Sequence, residues 1–370
     1  MSTSTHSTPI SRRFPCAKCG AELDFVPGTD TLVCTHCGHS NAIAAAGAPV
    51  EELDFAAHLD RAEAHEAHIE AATVKCQSCA AAVTRPKDVA AFACPFCGTN
   101  IIAQSRSESI LRPRGLLPFK VKHDDARERF RAWVKSRWFA PSSLSTQSFV
   151  DAAIKGVYLP YWTYDTLTTA PYTGERGDAY YVPVPMTVMV NGKPQVRMTM
   201  QRRIRWSSVR GSVENAFDDL LVPASRSLPT DKARVLEPWD LGSVVPYADE
   251  YVSGFIAETY QVDLKQGFGV AEAMMKPVIE STIRGDIGGD EQRIGTYRVA
   301  YRGITFKHLL LPVWMSAYRH MNTVYHFYVN ARTGEVTGDR PWSYWKITGA
   351  VLAGLALAGL IAAVIALSQR

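Results

Sequence analysis

The chain has 370 residues, with 40 Lys and Arg against 36 Asp and Glu, so its formal net charge is +4. This near balance excludes a strongly basic nucleic-acid tail and an acidic solvating chain. Hydrophobic residues make up 46% and charged residues 21% of the sequence. That composition is typical of a globular protein and excludes a wholly disordered chain or a polytopic membrane protein. At about 150 residues per domain, the length predicts two or three domains.

The first 13 residues, MSTSTHSTPISRR, are polar, and we expect them to be disordered. They contain no apolar run of the kind found in a secretory signal. The sequence therefore favours a reducing cytosol, in which cysteine thiols stay free to bind metal and do not form disulfides.

All cysteines of the chain fall into four C-x-x-C pairs. The pairs are Cys16 and Cys19, Cys34 and Cys37, Cys76 and Cys79, and Cys94 and Cys97. Adding 60 to the positions of the first two pairs gives the last two, so the unit is duplicated. Two such pairs on a short hairpin are typical of one four-thiolate zinc site. The sequence thus predicts two tandem zinc ribbons, at residues 14–43 and 74–102.

Each predicted ribbon has about 30 residues, too few for an apolar core alone, so a bound metal would supply the folding energy. Four thiolates complete the coordination shell, which favours two structural Zn²⁺ sites over catalytic ones. Iron in a rubredoxin-like site uses the same ligands, and the choice between zinc and iron stays open. Glycine follows the second cysteine of three pairs, where a turn needs positive φ, whereas Ala80 follows the third pair.

Residues 44–73 begin with the flexible run AAAGAP and continue with a helical composition, so they predict a helical linker between the ribbons. Residues 106–137 carry ten basic and four acidic side chains. Within them, HDDARERFRAWVKSRWF predicts a helix, whose apolar face would hold Phe130, Trp133, Val134 and Trp138.

Residues 156–223 are rich in Tyr, Thr and Val and predict strands, with a hairpin turn at Asn191 and Gly192. A helix is predicted over Phe268–Ile283, followed by strands at Gly295–Phe306, His308–Tyr318 and Thr323–Asn330. Residues 106–340 therefore predict an α+β domain with an antiparallel sheet. Six of its cations are candidate contacts for an anionic surface, although the wet face of a sheet or helix is the alternative. They are Arg127, Arg131, Lys135, Arg197, Arg203 and Arg205.

From Ile347 to Leu367 the chain has no charge, and this length spans about 30 Å of hydrocarbon as a helix. The flanking residues Trp342, Tyr344, Trp345 and Lys346 are typical of a membrane interface. Cations are more frequent before this segment than after it, which places the N-terminal bulk in the cytoplasm. We thus expect a tail-anchored, single-pass protein of the cytoplasmic membrane. Small residues spaced by four in the span leave self-association undetermined.

Several motifs of enzymes are missing. The sequence has no G-x-x-x-x-G-K-[ST] loop, no G-x-S-x-G, no H-E-x-x-H and no cysteine outside the pairs. We therefore expect no enzymatic activity, with the 106–340 domain left open on this point.

Beyond the cysteine pairs, several runs carry a family resemblance. They include GLLPFKV at 115–121, RWFAP at 137–141, GVYLPYWTYD at 156–165, YTGERGDAYY at 172–181, GDIGGDEQRI at 285–294, TFKHLLLPVW at 305–314 and GDRPWS at 338–343. Together they resemble bacterial transcription-factor-IIB-type zinc-ribbon proteins, some of which carry the name primosomal protein N′ (superfamily II helicase). The resemblance implies genomic neighbours of flotillin-like (SPFH) or phage-shock type, and thereby a role in recruitment to membranes. Helicase motor motifs are missing from this chain.

Two functions follow as hypotheses. The first is a membrane-associated adaptor that binds the lipid bilayer and a protein partner, of which flotillin-like or phage-shock-type proteins are candidates. The second is a zinc-ribbon protein that binds nucleic acid without helicase activity. The ribbons carry net charges of only −2 and +2, whereas phosphate-gripping sites concentrate more cations. The basic stretch 106–137 keeps the second hypothesis open.

Overall fold

The computed structural model of the protein describes residues 14–43, 50–60, 68–77, 81–84, 91–96, 99–102, 106–139, 154–190, 193–320, 323–340 and 342–368. Its helices are α1 (Phe55–Asp60), α2 (His123–Lys135), α3 (Thr230–Leu236), α4 (Asp249–Val252), α5 (Leu264–Ile287) and α6 (Tyr344–Ser368). Its strands are β1 (Leu23–Phe25), β2 (Thr31–Cys34), β3 (Ser40–Ala42), β4 (Leu53–Asp54), β5 (His68–Lys75), β6 (Ala82–Thr84), β7 (Ala91–Ala93), β8 (Asn100–Ile102), β9 (Arg106–Leu111), β10 (Gly115–Leu116), β11 (Lys155–Val190), β12 (Lys193–Pro223), β13 (Val245–Pro246), β14 (Ile256–Ala257), β15 (Glu291–Tyr297), β16 (Ala300–His320), β17 (Thr323–Asn330) and β18 (Val336–Gly338).

The large sheet is built around the β11–β12 hairpin. Its two strands pair from Tyr161 opposite Pro223 to Val190 opposite Lys193, with a register shift at Tyr164–Thr166. The frequent aromatic and β-branched side chains of both strands suit a pleated surface. The predicted hairpin is confirmed by the pairing of Val190 with Lys193. Its turn residues, Asn191 and Gly192, lie outside the described residues.

The strand order of this sheet is β12-β11-β16-β10-β13, and β14, β15, β17, β18 and β4 add at its sides. Most pairs are antiparallel, while β10–β16 and β11–β14 are short parallel pairs. A single strand β16 runs where the sequence predicted two strands separated at residue 307. It stays continuous because residues from Ala300 to Met315 pair with β11 and residues from Val313 to His320 pair with β17.

Helix α5 covers one face of the hairpin base. Asp263 caps its N-terminus, with the carboxylate accepting from the Gln266 N–H at 2.7 Å. Apolar residues at helical spacing then face the sheet. The buried ones include Leu264, Phe268, Ala271, Met275, Ile279 and Ile283. The predicted helix is confirmed and extends to Ile287, where Gly288 at φ 64° ends it.

Two helical expectations need correction. Among the described residues of 44–73, helix occupies Phe55–Asp60, and His68–Lys75 is a strand that pairs with β9. Helical composition there is overridden because strand pairing satisfies the backbone of both segments. Helix α2 ends at Lys135, so Trp138 is not on its apolar face but 75% exposed.

The coarse fold class is confirmed: antiparallel sheets combine with helices, a four-cysteine cluster and an apolar C-terminal helix. The buried apolar side chains of the described residues form three clusters. Residues of 14–43 contribute to the first, and residues of 74–102 contribute to the second. The cysteine-bearing segments therefore pack on the α+β body instead of standing apart from it.

Candidate metal centre and exposed surfaces

The first cysteine repeat, residues 14–43, brings four thiols together. The Sγ atoms of Cys16, Cys19, Cys34 and Cys37 all lie within 4.8 Å of one another. Cys16 Sγ is 3.5 Å from Cys37 Sγ, and Cys19 Sγ is 3.5 Å from Cys34 Sγ, and all four cysteines are free. A tetrahedral zinc with bonds of about 2.3 Å needs its sulfurs about 3.8 Å apart. The four residues therefore fit a zinc ion and could hold one.

The backbone of each C-x-x-C turn is shaped for this cluster. The Cys16 N–H donates to Ala21 O at 2.7 Å, and the Cys34 N–H donates to His39 O at 2.8 Å. The glycine after each pair, Gly20 and Gly38, has φ of 75° and 71°. Only glycine adopts this region without steric cost, so the sequence rule of a glycine after the pair has a physical cause here.

The thiols affect one another's ionisation. The backbone N–H groups of Cys37 and His36 lower the pKa of Cys34 to about 6, although burial opposes them. The His39 N–H lowers the pKa of Cys37. Burial and the neighbouring thiols of Cys19 and Cys16 raise this pKa by a larger amount, so that it lies at about 12. Four thiolates cannot share this space without a cation. A divalent metal that replaces the protons removes this conflict.

The described residues of the second cysteine repeat, which spans 74–102, reproduce hydrogen bonds and strand pairs of the first with an offset of 60. Cys76 N–H donates to Ala81 O at 2.8 Å, and Cys94 N–H donates to Thr99 O at 2.9 Å. Strand pairing follows the same offset. The Pro15–Glu22 bridge of the first repeat corresponds to the Lys75–Ala82 pair of the second, and the Thr31–Ala42 pair corresponds to the Ala91–Ile102 pair. Cys79 and Cys97 lie outside the described residues, so their thiols are not placed.

The two repeats differ in their strand neighbours. In the first repeat, β1 pairs with β2 and β2 with β3. Among the described residues of the second, β6 pairs with β5, which pairs in turn with β9, while β7 pairs with β8. The second repeat thus shares a small sheet with the strand that leads into the α+β body.

Glu258 lies where the second repeat meets the body. Its backbone bridges to Val83, and its side chain is 2% exposed. Ser227 Oγ and Gln261 Nε2 donate to its Oε1 at 2.5 and 2.6 Å, whereas Oε2 has no partner among the described residues. Burial raises the pKa of Glu258 to about 8, so the carboxyl group is protonated at neutral pH.

The first repeat docks on the body through its apolar face. Phe25 packs on Tyr251 with ring centres 5.2 Å apart, and the Phe25 N–H donates to Ser253 O at 3.2 Å. Leu23 is 1% exposed, and its carbonyl accepts from Ser253 Oγ at 2.7 Å. On β2, Leu32 is buried and Val33 is half-buried, because strand alternation places Leu32 on the same side as Cys34.

Beyond Gly177, where β15 stops pairing, β11 and β12 pair only with each other among the described residues. We call residues 178–190 with 193–205 the arm; it extends about 40 Å at 3.3 Å per residue. Paired residues share a face. One face carries exposed apolar side chains, namely Pro183, Pro185, Met189, Pro194, Val196, Met198 and Met200. The opposite face carries Arg197, Arg203 and Arg205.

The six cations predicted to contact an anionic surface fall into two places. Arg127 and Arg131 are half-buried on α2, and Lys135 is exposed at its end. Arg197, Arg203 and Arg205 are exposed on the arm, where Arg205 lies 5.3 Å above the ring of Tyr180. Residues 179–206 contain five cations and no acidic residue. The strand register places Arg197, Arg203 and Arg205 on one face of the arm.

Among the described residues, one helix is long and apolar enough to span a membrane, over Tyr344–Ile365, and none of it is buried. Its predicted interfacial residues are exposed, with Tyr344 at 81% and Trp345 at 89%. Trp342 is 53% exposed, and Lys346 Nζ donates to Trp138 O at 3.2 Å. These features are consistent with a single-pass membrane protein.

A group of charged side chains lies at the register shift of the hairpin. Lys307 Nζ is 2.7 Å from Asp219 Oδ1 and 3.0 Å from Glu52 Oε1. The Asp219 N–H donates to Asp165, whose pKa is raised to about 6 by burial and by Glu52. Each carboxylate already has a donor, so this group serves as an ion network that ties residues 50–54 to the sheet.

These features define an α+β protein with a four-thiol centre, a projecting arm and an apolar helix. The chain is similar to a protein of Bacillus subtilis (strain 168) called "Uncharacterized protein YdjG", with 25% identity over 347 residues. The similarity covers 90% of this chain and 91% of that protein. No protein-family model matches the sequence. No solved structure matches it.

Two residues of these surfaces were missed by sequence reasoning. Glu258 gave no signal, because a single glutamate in a strand-like run is ordinary. Sequence reasoning placed Trp138 on the apolar face of a helix, but helix α2 ends at Lys135. The run of Arg137, Trp138 and Phe139 after the last helical turn was the available signal for an exposed aromatic residue.

Proposed function

We propose that the protein is a membrane-anchored adaptor that recruits a protein partner, with the body on the cytoplasmic side. The observation that carries this proposal is the arm. Its apolar face is exposed from the Pro183–Met200 pair to the Met189–Pro194 pair, although two strands without further neighbours are marginally stable in water. Exposed apolar patches of this kind mark interaction sites. Methionines on such a face adapt to irregular partner surfaces.

The protein partner receives the arm in a groove that has one apolar wall and one acidic wall. The acidic wall is favoured by charge, since residues 179–205 of the arm carry five cations and no acidic residue. Addition of a strand at the edge is disfavoured, because Pro183, Pro185 and Pro194 offer no N–H to an added strand. The partner therefore contacts the faces of the arm. The family resemblance makes flotillin-like (SPFH) and phage-shock-type proteins the first partners to test.

We further propose that both cysteine repeats are zinc ribbons and that each holds one structural Zn²⁺. The support for the second ribbon is the repetition of turn hydrogen bonds and strand register at an offset of 60. In this role the metals fix the two repeats against the body and take no part in chemistry. The alternative metal, iron, is separated from zinc by metal analysis and by the visible absorption of iron thiolates.

Photo-crosslinking in cells tests the adaptor. A benzophenone amino acid at Met198 is expected to capture a defined protein partner, and the adduct should survive nuclease. Reversal of Arg197 and Arg203 to Glu should weaken the same adduct. The matched control is Val278, which is similarly exposed on α5, away from the arm. Equal adducts from both positions, or insensitivity to charge reversal, would contradict the proposal.

The same experiment addresses nucleic-acid binding, which the cationic arm also favours. Two results together would contradict the adaptor and support nucleic-acid binding. They are the loss of all Met198 adducts after nuclease and salt-sensitive binding of RNA or DNA by the purified full-length chain.

A further inference from the structure

Two chain segments about 200 residues apart meet where the apolar helix begins. The Ser343 N–H donates to Phe139 O at 2.8 Å, and Lys346 Nζ donates to Trp138 O at 3.2 Å. The rings of Phe139 and Trp342 lie 6.5 Å apart. The segment that follows α2 is therefore held against the first turn of α6.

This junction has the composition of a membrane interface. Trp138 is 75% exposed and Trp342 is 53% exposed, although large aromatic side chains are usually buried in soluble proteins. Arg137 lies 4.9 Å above the ring of Trp133, and Arg340 lies 4.4 Å above the ring of Trp342. Tryptophan with nearby Arg and Lys is the side-chain set found at the headgroup level.

Charge along α2 is divided between its ends. The acidic residues Asp124, Asp125 and Glu128 lie in its first two turns, whereas residues 129–139 contain cations and no acidic residue. The cationic end is the one attached to α6. The acidic side chain next to the junction, Asp339, is occupied by Lys232, with Nζ 2.9 Å from Oδ1.

We propose that this junction binds the headgroups of anionic phospholipids, so that the end of α2 and Trp138 lie at the membrane surface. We call it the collar. It consists of Lys135, Arg137, Trp138, Arg340, Trp342 and Lys346. The inference rests on the proposed membrane anchoring and adds to it a lipid class and an orientation of the body. Each cation near an anionic surface favours contact roughly fivefold.

Tryptophan quenching tests the depth of Trp138. The full-length protein is reconstituted in vesicles of phosphatidylcholine and phosphatidylglycerol, with some phosphatidylcholine brominated near the headgroup. Three of the eight tryptophans, at 138, 342 and 345, are then accessible to the bromines. Trp138→Phe should remove about a third of the quenchable emission. The control Trp206→Phe lies at the base of the arm, opposite Gly177, and should leave that emission unchanged. Unchanged quenchable emission in Trp138→Phe would overturn the collar.

Energy transfer tests the lipid class. Tryptophan emission should transfer more to dansyl-labelled phosphatidylglycerol than to dansyl-labelled phosphatidylcholine, and the triple variant Lys135→Gln, Arg137→Gln and Arg340→Gln should abolish this difference. Arg298→Gln, an exposed arginine at the turn between β15 and β16, should retain it. A wild-type protein without the difference would contradict binding to anionic lipid.

The two proposals fail in different ways. If alkaline carbonate removes the wild-type chain from vesicles, the anchoring is wrong and the collar falls with it. If the chain resists carbonate but Trp138 is not quenched, the anchor stands and the collar alone is wrong.

Discussion

The two cysteine repeats have the same spacing and the same described register, yet they are held by different neighbours. The first keeps its three strands to itself and docks by an apolar face and a few hydrogen bonds. The second shares a small sheet with β9, the strand that leads into the body, and its Val83 bridges to Glu258 of the body. The duplicated cysteine unit thus keeps the described hydrogen bonds of its turns, while its flanking strands adapt to the site where it packs.

The largest expected effect separates the repeats by their metal. Wild-type protein should contain two zinc ions per chain, and Cys34→Ser or Cys94→Ser should each lower this to one. Structural zinc contributes about 10–16 kcal/mol of binding free energy in small finger peptides, so the repeat that loses its ion should unfold locally. Metal analysis of the purified full-length protein gives the content, and hydrogen exchange gives the unfolded segment. Full metal content in Cys94→Ser would show that the second repeat is not a metal site.

Truncation of equivalent core residues compares the two docking modes. Leu23 and Val83 correspond at the offset of 60, and they are 1% and 0% exposed. Leu23→Ala should destabilise the first repeat by about 2–5 kcal/mol, and Val83→Ala should destabilise the second by about 2 kcal/mol. Hydrogen exchange should confine the first loss to residues 14–43 but spread the second into the body. Val278→Ala, an exposed control, should change little. A loss in Val83→Ala confined to its own repeat would contradict shared packing.

The pH dependence of the folding stability should reflect Glu258, which is buried where the second repeat meets the body. The folded protein holds this proton up to about pH 8, whereas the unfolded chain releases it near its ordinary pKa of 4.5. Stability should therefore fall as pH rises from about 4.5 to 8, and level off above that range. Glu258→Gln should remove this part of the slope and raise the melting temperature at pH 8. The exposed control Glu335→Gln should keep the wild-type slope, and a shared slope in both variants would sink this assignment.

The smallest expected effect concerns the turn glycines. Gly20→Ala forces a side chain into positive φ and should cost about 1 kcal/mol. Gly242→Ala, which has open space and no positive φ, should cost less. Ala80, outside the described residues, occupies the equivalent position of the second repeat, and Ala80→Gly should gain about 1 kcal/mol if its turn is the same. Melting curves of the four proteins check this order, and a stabilising Gly20→Ala would contradict it.

Local pattern was sufficient for several elements. The C-x-x-C spacing with Gly20 and Gly38 fixed the metal-capable cluster, because both thiols of a pair must point the same way from one tight turn. The same holds for the apolar helix before Leu367 and for the α5 helix, where the period of the apolar residues was unambiguous. These features depend on residues that are close in sequence.

The long β11–β12 hairpin, the docking of the cysteine repeats and the junction of Trp138 with Ser343 were not determined by local pattern. A strand continues or stops according to the neighbours that satisfy its backbone, as His68–Lys75 shows by pairing with β9 against its helical composition. The raised pKa of Glu258 likewise arises from burial under a distant repeat. The sequence by itself determined where the cysteine repeats and the apolar helix lie in the chain. The tertiary structure alone decided which surfaces they cover and leave exposed, since burial depends on contacts between residues far apart in sequence.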